Sequence, residues 1–163
     1  MAGARRIGHG VALPYERDAL ALAADMARKG ILVEVNLSSN DIILNVRGEE
    51  HPWWWLKAAG VPFALSTDDP GISRSTLGME YARGAADGMT YEDLKRSARN
   101  ALQFSFLPGE PLWNDAPAYG SMHVACRNTF GPDCKALLAR SEKAQAQWDL
   151  EQRLKAFEAG WPG

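Results

Sequence analysis

The sequence predicts an α/β protein built on a parallel sheet. Two observations carry this. Short apolar or β-branched runs alternate with helix-patterned segments, in the order strand, helix, strand, helix, strand, then helices. That alternation is the signature of βαβ units. Each candidate strand also ends in polar side chains: His9, the Asn36 to Asp41 segment, and Asp68-Asp69. In barrels of alternating strands and helices, chemistry gathers at those strand ends. Three strands, however, cannot close an eight-stranded barrel.

Arg5-Arg6-Ile7-Gly8-His9-Gly10 is the first candidate strand, too short to show a period. Glycines on both sides of His9 leave backbone that can approach a neighbour closely. Pro14 to Lys29 reads as a helix. Pro14 suits the first turn, Leu20, Ala23, Ala24 and Ala27 recur at helical spacing, and Gly30 is the stop. Ile31 to Val35 is a strand. Asn36-Leu37-Ser38-Ser39-Asn40-Asp41 reads as a polar loop. Glu49-Glu50-His51-Pro52 leads into a helix from Trp53 to Ala59, stopped by Gly60. Three successive tryptophans cannot face one way, so at least one meets another layer or another chain. A strand then ends at Asp68-Asp69, and Ser73 to about Gly84 reads as a helix with Leu77 and Tyr81 on one face. Thr90-Tyr91-Glu92-Asp93 has the form of a capping box. It opens a helix carrying Leu94, Ala98, Ala101 and Leu102. Leu107 to Pro132 is rich in Pro and Gly and reads as irregular. One last helix is expected from Cys134 to Glu158.

Composition excludes several classes. A chain of 163 residues, 46% apolar and 23% charged, can form a real core. Net charge is -2 and no stretch is basic enough for a nucleic-acid surface. No apolar run approaches a membrane span, and residues 1–6 lack the apolar core of a signal peptide. Cys126 and Cys134 lack CxxC spacing. Either a small disulfide loop or a pair of buried thiols is compatible with them.

The chain is organised around Phe63-Ala64-Leu65-Ser66-Thr67-Asp68-Asp69-Pro70-Gly71. Two adjacent carboxylates close a strand, and in β geometry neighbours point to opposite faces, so each needs its own partner. A metal, a cation or a polar ligand would meet them. Taken alone, the nine residues fit a capped turn equally well.

These residues carry a resemblance. Arg6-Ile7-Gly8-His9-Gly10, Glu34-Val35-Asn36-Leu37-Ser38-Ser39-Asn40, His51-Pro52, Gly60-Val61-Pro62 and Ser66-Thr67-Asp68-Asp69-Pro70 occur in that order. Leu77, Glu80-Tyr81, Ala98-Arg99-Asn100 and Ser105-Phe106-Leu107-Pro108-Gly109 come after them. The series resembles the C-terminal part of the adenosine deaminase family, and is most similar to bacterial members of the branch that includes growth-factor-like adenosine deaminases. It spans about Arg5 to Gly109.

The resemblance implies a partial TIM (β/α)8 barrel, about its last three βα units, over residues 1–109. Residues 110–163 would be an irregular segment and a C-terminal helix. It implies a zinc-dependent hydrolase in which metal-bound hydroxide attacks C6 of adenosine, giving inosine and ammonia. Asp68 would be a ligand of the single Zn2+ ion and take part in catalysis. His9 would sit beside the metal-bound water as base or electrostatic stabiliser. Asp69 would bind the purine. Ser39 and Asn40 would shape the pocket without a chemical step. The zinc deaminases with an H-x-E…P-C-x-x-C signature are a different type, and that signature is absent.

The sequence departs from the family pattern severely. Its three histidines, His9, His51 and His123, form neither His-x-His nor His-x-Gly-Glu. Catalytic zinc takes about three protein ligands, so the chain alone is expected to be inactive and to need the N-terminal part of the barrel. Adenine or AMP deamination is a related reading. A non-catalytic remnant that binds a partner or a purine weakly is another. The expected partner is a purine nucleoside, with no nucleic acid and no membrane. The compartment stays open between cytoplasmic and extracytoplasmic. Among other residues, His51 is read as structural at a helix start, and His123 as exposed or locally bonded. Glu34 fits a functional acid or, at least as well, the partner of a neighbouring strand or arginine, and Arg74 and Glu80 are read as an ion pair or helix-face charges.

Overall fold

A computed structural model describes residues 3–127 and 130–160. It divides into two compact units, residues 1–98 and 99–163.

The first unit holds a three-stranded parallel sheet of β1 (Arg6–Gly8), β2 (Leu32–Val35) and β3 (Phe63–Leu65), in spatial order β1-β2-β3. Helices connect them: α1 (Ala19–Lys29), then α2 (Leu37–Leu44) and α3 (Trp53–Ala58). After β3 come α4 (Pro70–Ser73), α5 (Leu77–Ala86) and α6 (Tyr91–Gln103). This is the arrangement of successive βα units in part of a (β/α)8 barrel, as the fold class requires. β2 is central and β3 is buried along its length, so both read as apolar runs rather than alternating ones. Val33, Val35, Phe63 and Leu65 form one core with Ala23 and Met26 of α1 and Trp53 and Leu56 of α3. Trp54 points outward at 53% exposure, as a run of three tryptophans demands.

Several helices differ from their expected extents. Pro14 lies in a separate 3-10 turn, Leu13–Tyr15, and Asp18 in left-handed backbone (φ 56°) precedes α1. Leu20 and Ala24 are exposed, and the buried face of α1 is instead Ala23 and Met26. The segment read as one helix from Ser73 is two, because Arg74 is left-handed and Thr76 starts afresh, its hydroxyl accepting from Met79 N–H at 3.2 Å. The Thr90 box is formed as expected. Asp93 N–H donates to Thr90 Oγ1 (3.2 Å), and Thr90 N–H donates to Asp93 Oδ2 (2.9 Å).

The second unit has α7 (Pro132–Arg140) and α8 (Glu142–Gly160), where one helix was expected. Ser141 is extended and interrupts them. Its hydroxyl donates to Glu110 O (2.7 Å) and accepts from Ala144 N–H (3.0 Å), so it caps α8. Gly109 makes this possible: a Cβ there would sit 2.6 Å from Ser141 Cα. Cys126 and Cys134 form a disulfide, which resolves the open choice. Arg99 pairs with Glu151 (2.7 and 2.8 Å) and lies 5.0 Å from the Trp113 ring.

Candidate active site at the strand ends

Parallel register places Gly8 beside Glu34 and Val35 beside Leu65, so the three strands end at one level. His9 comes directly after β1, its N–H donating to Glu34 O at 2.9 Å. Both His9 (φ 64°) and Asp68 (φ 57°) have left-handed backbone. This is uncommon outside glycine, is tolerated best by Asn, Asp and His, and clusters at functional sites. Gly10 is left-handed too, and a Cβ there would lie 2.6 Å from Val33 Cγ1. Gly8 faces open space, so only one of the flanking glycines marks a close approach.

Asp68 Oδ2 accepts a hydrogen bond from Ser39 Oγ at 2.7 Å and stands 3.7 Å from His9 Nε2. The His9 and Asp68 side chains are 40% and 35% exposed, which leaves this pair open to a ligand. Asp69 takes no part in it. Its backbone carbonyl accepts from Ile72 N–H, Ser73 N–H and the Ser73 hydroxyl at the start of α4. Its exposed carboxylate makes no hydrogen bond or ion pair among the described residues. The Asp68 carboxylate is thus engaged by Ser39 and His9, whereas Asp69 starts α4 through its backbone carbonyl. A left-handed turn at Asp68, rather than strand alternation, separates the two aspartates.

The segment read as a polar loop is the helix α2, with its expected polarity inverted. Leu37, Ser38, Ser39 and Asn40 are buried, whereas Ile42, Ile43 and Leu44 are exposed. Polar side chains tolerate burial when paired, and those of Ser39 and Asn40 are paired at the site. Ser39 meets Asp68. The Asn40 side-chain amide lies 2.8 Å from both His9 Nδ1 and His51 Nε2. Asn36 Nδ2 is 3.2 Å from His9 Nδ1. Glu80, buried and remote from helix-face duty, accepts Ser38 N–H on Oε2 at 3.2 Å and so holds the start of α2. Arg74 is exposed and forms no ion pair with it.

His51 is fully buried. Burial, with a smaller contribution from the Arg83 charge, pushes its pKa down to about 4, so the ring is neutral at neutral pH. Its Nδ1 accepts Trp53 N–H at 3.2 Å, satisfying a first-turn donor of α3. Glu34 pairs with Arg6 at 2.7 Å, the structural one of its two readings. His123 is locally bonded, 3.5 Å from Glu110 in the second unit.

Among the described residues no three His, Cys, Asp or Glu side chains gather where they could hold a metal ion. Asp68 and His9 offer two donors at most. Among the described residues these two fall short of the roughly three protein ligands a catalytic zinc takes.

The fold and the strand-end cluster define a partial (β/α)8-barrel protein with a polar centre at the C-terminal ends of its strands. The comparisons with known proteins specify it further. The family model described as "Adenosine deaminase" matches residues 1–112. The chain belongs to the adenosine deaminase family. It is 34% identical over 107 residues to an adenosine deaminase of Enterococcus faecalis, covering 64% of this chain and 31% of that one. It is 34% identical over 110 residues to one of Escherichia coli, covering 66% and 32%. The solved apo N6-methyl-AMP deaminase of Arabidopsis thaliana superposes with a TM-score of 0.52 at 27% identity, covering 64% of this chain and 30% of that one. The chain thus spans about a third of the length of these relatives.

Proposed function

We propose that residues 1–109 are the C-terminal share of a purine deaminase centre, converting adenosine and water to inosine and ammonia when the remaining ligands are supplied. The observation that carries this is the convergence of His9, Ser39 and Asp68 where three parallel strands end. Asp68 contributes one carboxylate ligand to a zinc ion, and Ser39 holds that carboxylate. His9 is positioned beside it to hold or pass a proton. The exposed Asp69 carboxylate faces the purine. Two donors are too few to retain zinc, so the chain alone is inactive and holds no stoichiometric metal.

The test is complementation. The chain is co-expressed with an upstream barrel half carrying His-x-His and His-x-Gly-Glu, and zinc content and ammonia release are measured with adenosine, adenine and AMP. Activity is expected only in the pair. Asp68→Asn should abolish zinc retention and turnover together, and Asp69→Asn should leave zinc bound but raise KM. A well-folded, zinc-loaded pair that releases no ammonia from any of the three would overturn the reading in favour of a non-catalytic remnant. Saturable activity in the isolated chain would overturn the claim of inactivity.

A further inference from the structure

Behind His9 lies a chain of buried side chains, His9–Asn40–His51, closed at the far end by the backbone of α3. Asn36, Asn40 and His51 are each no more than 2% exposed. Buried groups of this kind must balance donors against acceptors.

One group in this chain has a fixed direction. Trp53 N–H can only donate, and it meets His51 Nδ1 at 3.2 Å. A neutral imidazole carries one N–H and one lone pair. With Nδ1 accepting, the His51 proton is on Nε2. That nitrogen lies 2.8 Å from the Asn40 amide. The structure sets the Asn40 amide nitrogen there, donor against donor; the amide's oxygen and nitrogen are near-identical in shape, and exchanging them relieves the conflict, so the oxygen is assigned to His51. The same exchange puts the NH2 end of Asn40 in the position, 2.8 Å from His9 Nδ1, where the structure sets its Oδ1. Nδ1 of His9 must be the lone pair, and Asn36 Nδ2 supplies a second donor to it at 3.2 Å. The remaining proton of neutral His9 sits on Nε2, the nitrogen 3.7 Å from Asp68 Oδ2.

We infer that Asn40 and His51 are positioning residues that fix His9 as its Nε2–H tautomer, so that it presents a proton donor, and not a lone pair, toward Asp68. The direction propagates from the α3 backbone through two side chains to the site, with no group left facing its like. This stands on hydrogen-bond geometry and is independent of the deaminase reading. It narrows the role of His9: in the resting site the nitrogen nearest Asp68 gives a proton or holds one, and takes one only after releasing its own.

Two-bond 1H–15N correlation spectra of the metal-free chain, labelled at histidine, read the tautomers directly. The expected result is that the neutral rings of both His9 and His51 carry their proton on Nε2, with Nδ1 unprotonated. Asn40→Asp replaces the donor at His9 with an acceptor and should switch His9 to Nδ1–H. A merely structural role for Asn40 would not move that signature. A wild-type His9 protonated on Nδ1 would overturn the inference, even if the variant fails to fold. So would an unchanged His9 tautomer in a folded Asn40→Asp chain.

Discussion

Acidification should destabilise the first unit through His51, by an amount the structure sets. In the unfolded chain this ring titrates near 6.5, but in the fold its pKa is about 4. As pH falls below about 6.5 the unfolded state takes up a proton that the native state refuses. The stabilisation is therefore fully present above about 6.5 and is lost progressively down to about 4. Integrating between about pH 7.5 and about pH 4.5 gives a loss of about 2.5 kcal/mol from this one ring. Other groups titrate in the same window, so the measurement is a difference. Urea unfolding of the wild type and of His51→Gln, at both pH values, isolates the term. The glutamine variant removes the Trp53 contact and should be less stable by about 1–3 kcal/mol at the higher pH. It carries no titrating ring, so the gap should close or reverse at the lower pH. A gap that stays constant would refute the claim that His51 is buried neutral.

Gly109→Ala should cost about 1–3 kcal/mol, because its Cβ would meet the Ser141 backbone and its φ of 97° disfavours any side chain. Thermal unfolding followed by circular dichroism would register it. Reduction of the Cys126–Cys134 disulfide, which closes a short loop at sequence separation 8, should lower the stability of the second unit by about 2–3 kcal/mol. Paired denaturation curves with and without reductant measure this, and unchanged midpoints would contradict it. Thr90→Ala should cost about 1 kcal/mol by opening the capping box on α6, read from the urea midpoint.

Much of the first unit was legible because its signals are local. β2 and β3 are short apolar runs bounded by Gly60 and by polar residues, and Thr90 with Asp93 writes a helix start into four positions. The gathering of His9 and Asp68 came from a strand-end rule, since register in a parallel sheet brings the residues just beyond each strand to one level. α2 was not legible. Its buried face is Ser38, Ser39 and Asn40, and composition alone assigns such residues to a loop. Only tertiary partners, Asp68 for Ser39 and the two histidines for Asn40, make that burial favourable. A helical reading of Asn36 and Asn40, four apart on one face, was the signal available for finding the relay. The break at Ser141 was hidden for a related reason. It depends on the close approach of Gly109, some thirty residues earlier, and neither Gly nor Pro marks the break itself.

The left-handed backbone at His9 and Asp68 has a bearing on how variants of this protein are to be interpreted. At either position most replacements would first meet backbone strain, of about 1 kcal/mol or more, before any chemistry was sampled. Alanine scanning would therefore assign to both residues losses that belong partly to the main chain. Glycine and asparagine occupy that region of backbone space most readily. A scan using them as the reference would separate what the imidazole and the carboxylate do from what the turn beneath them requires.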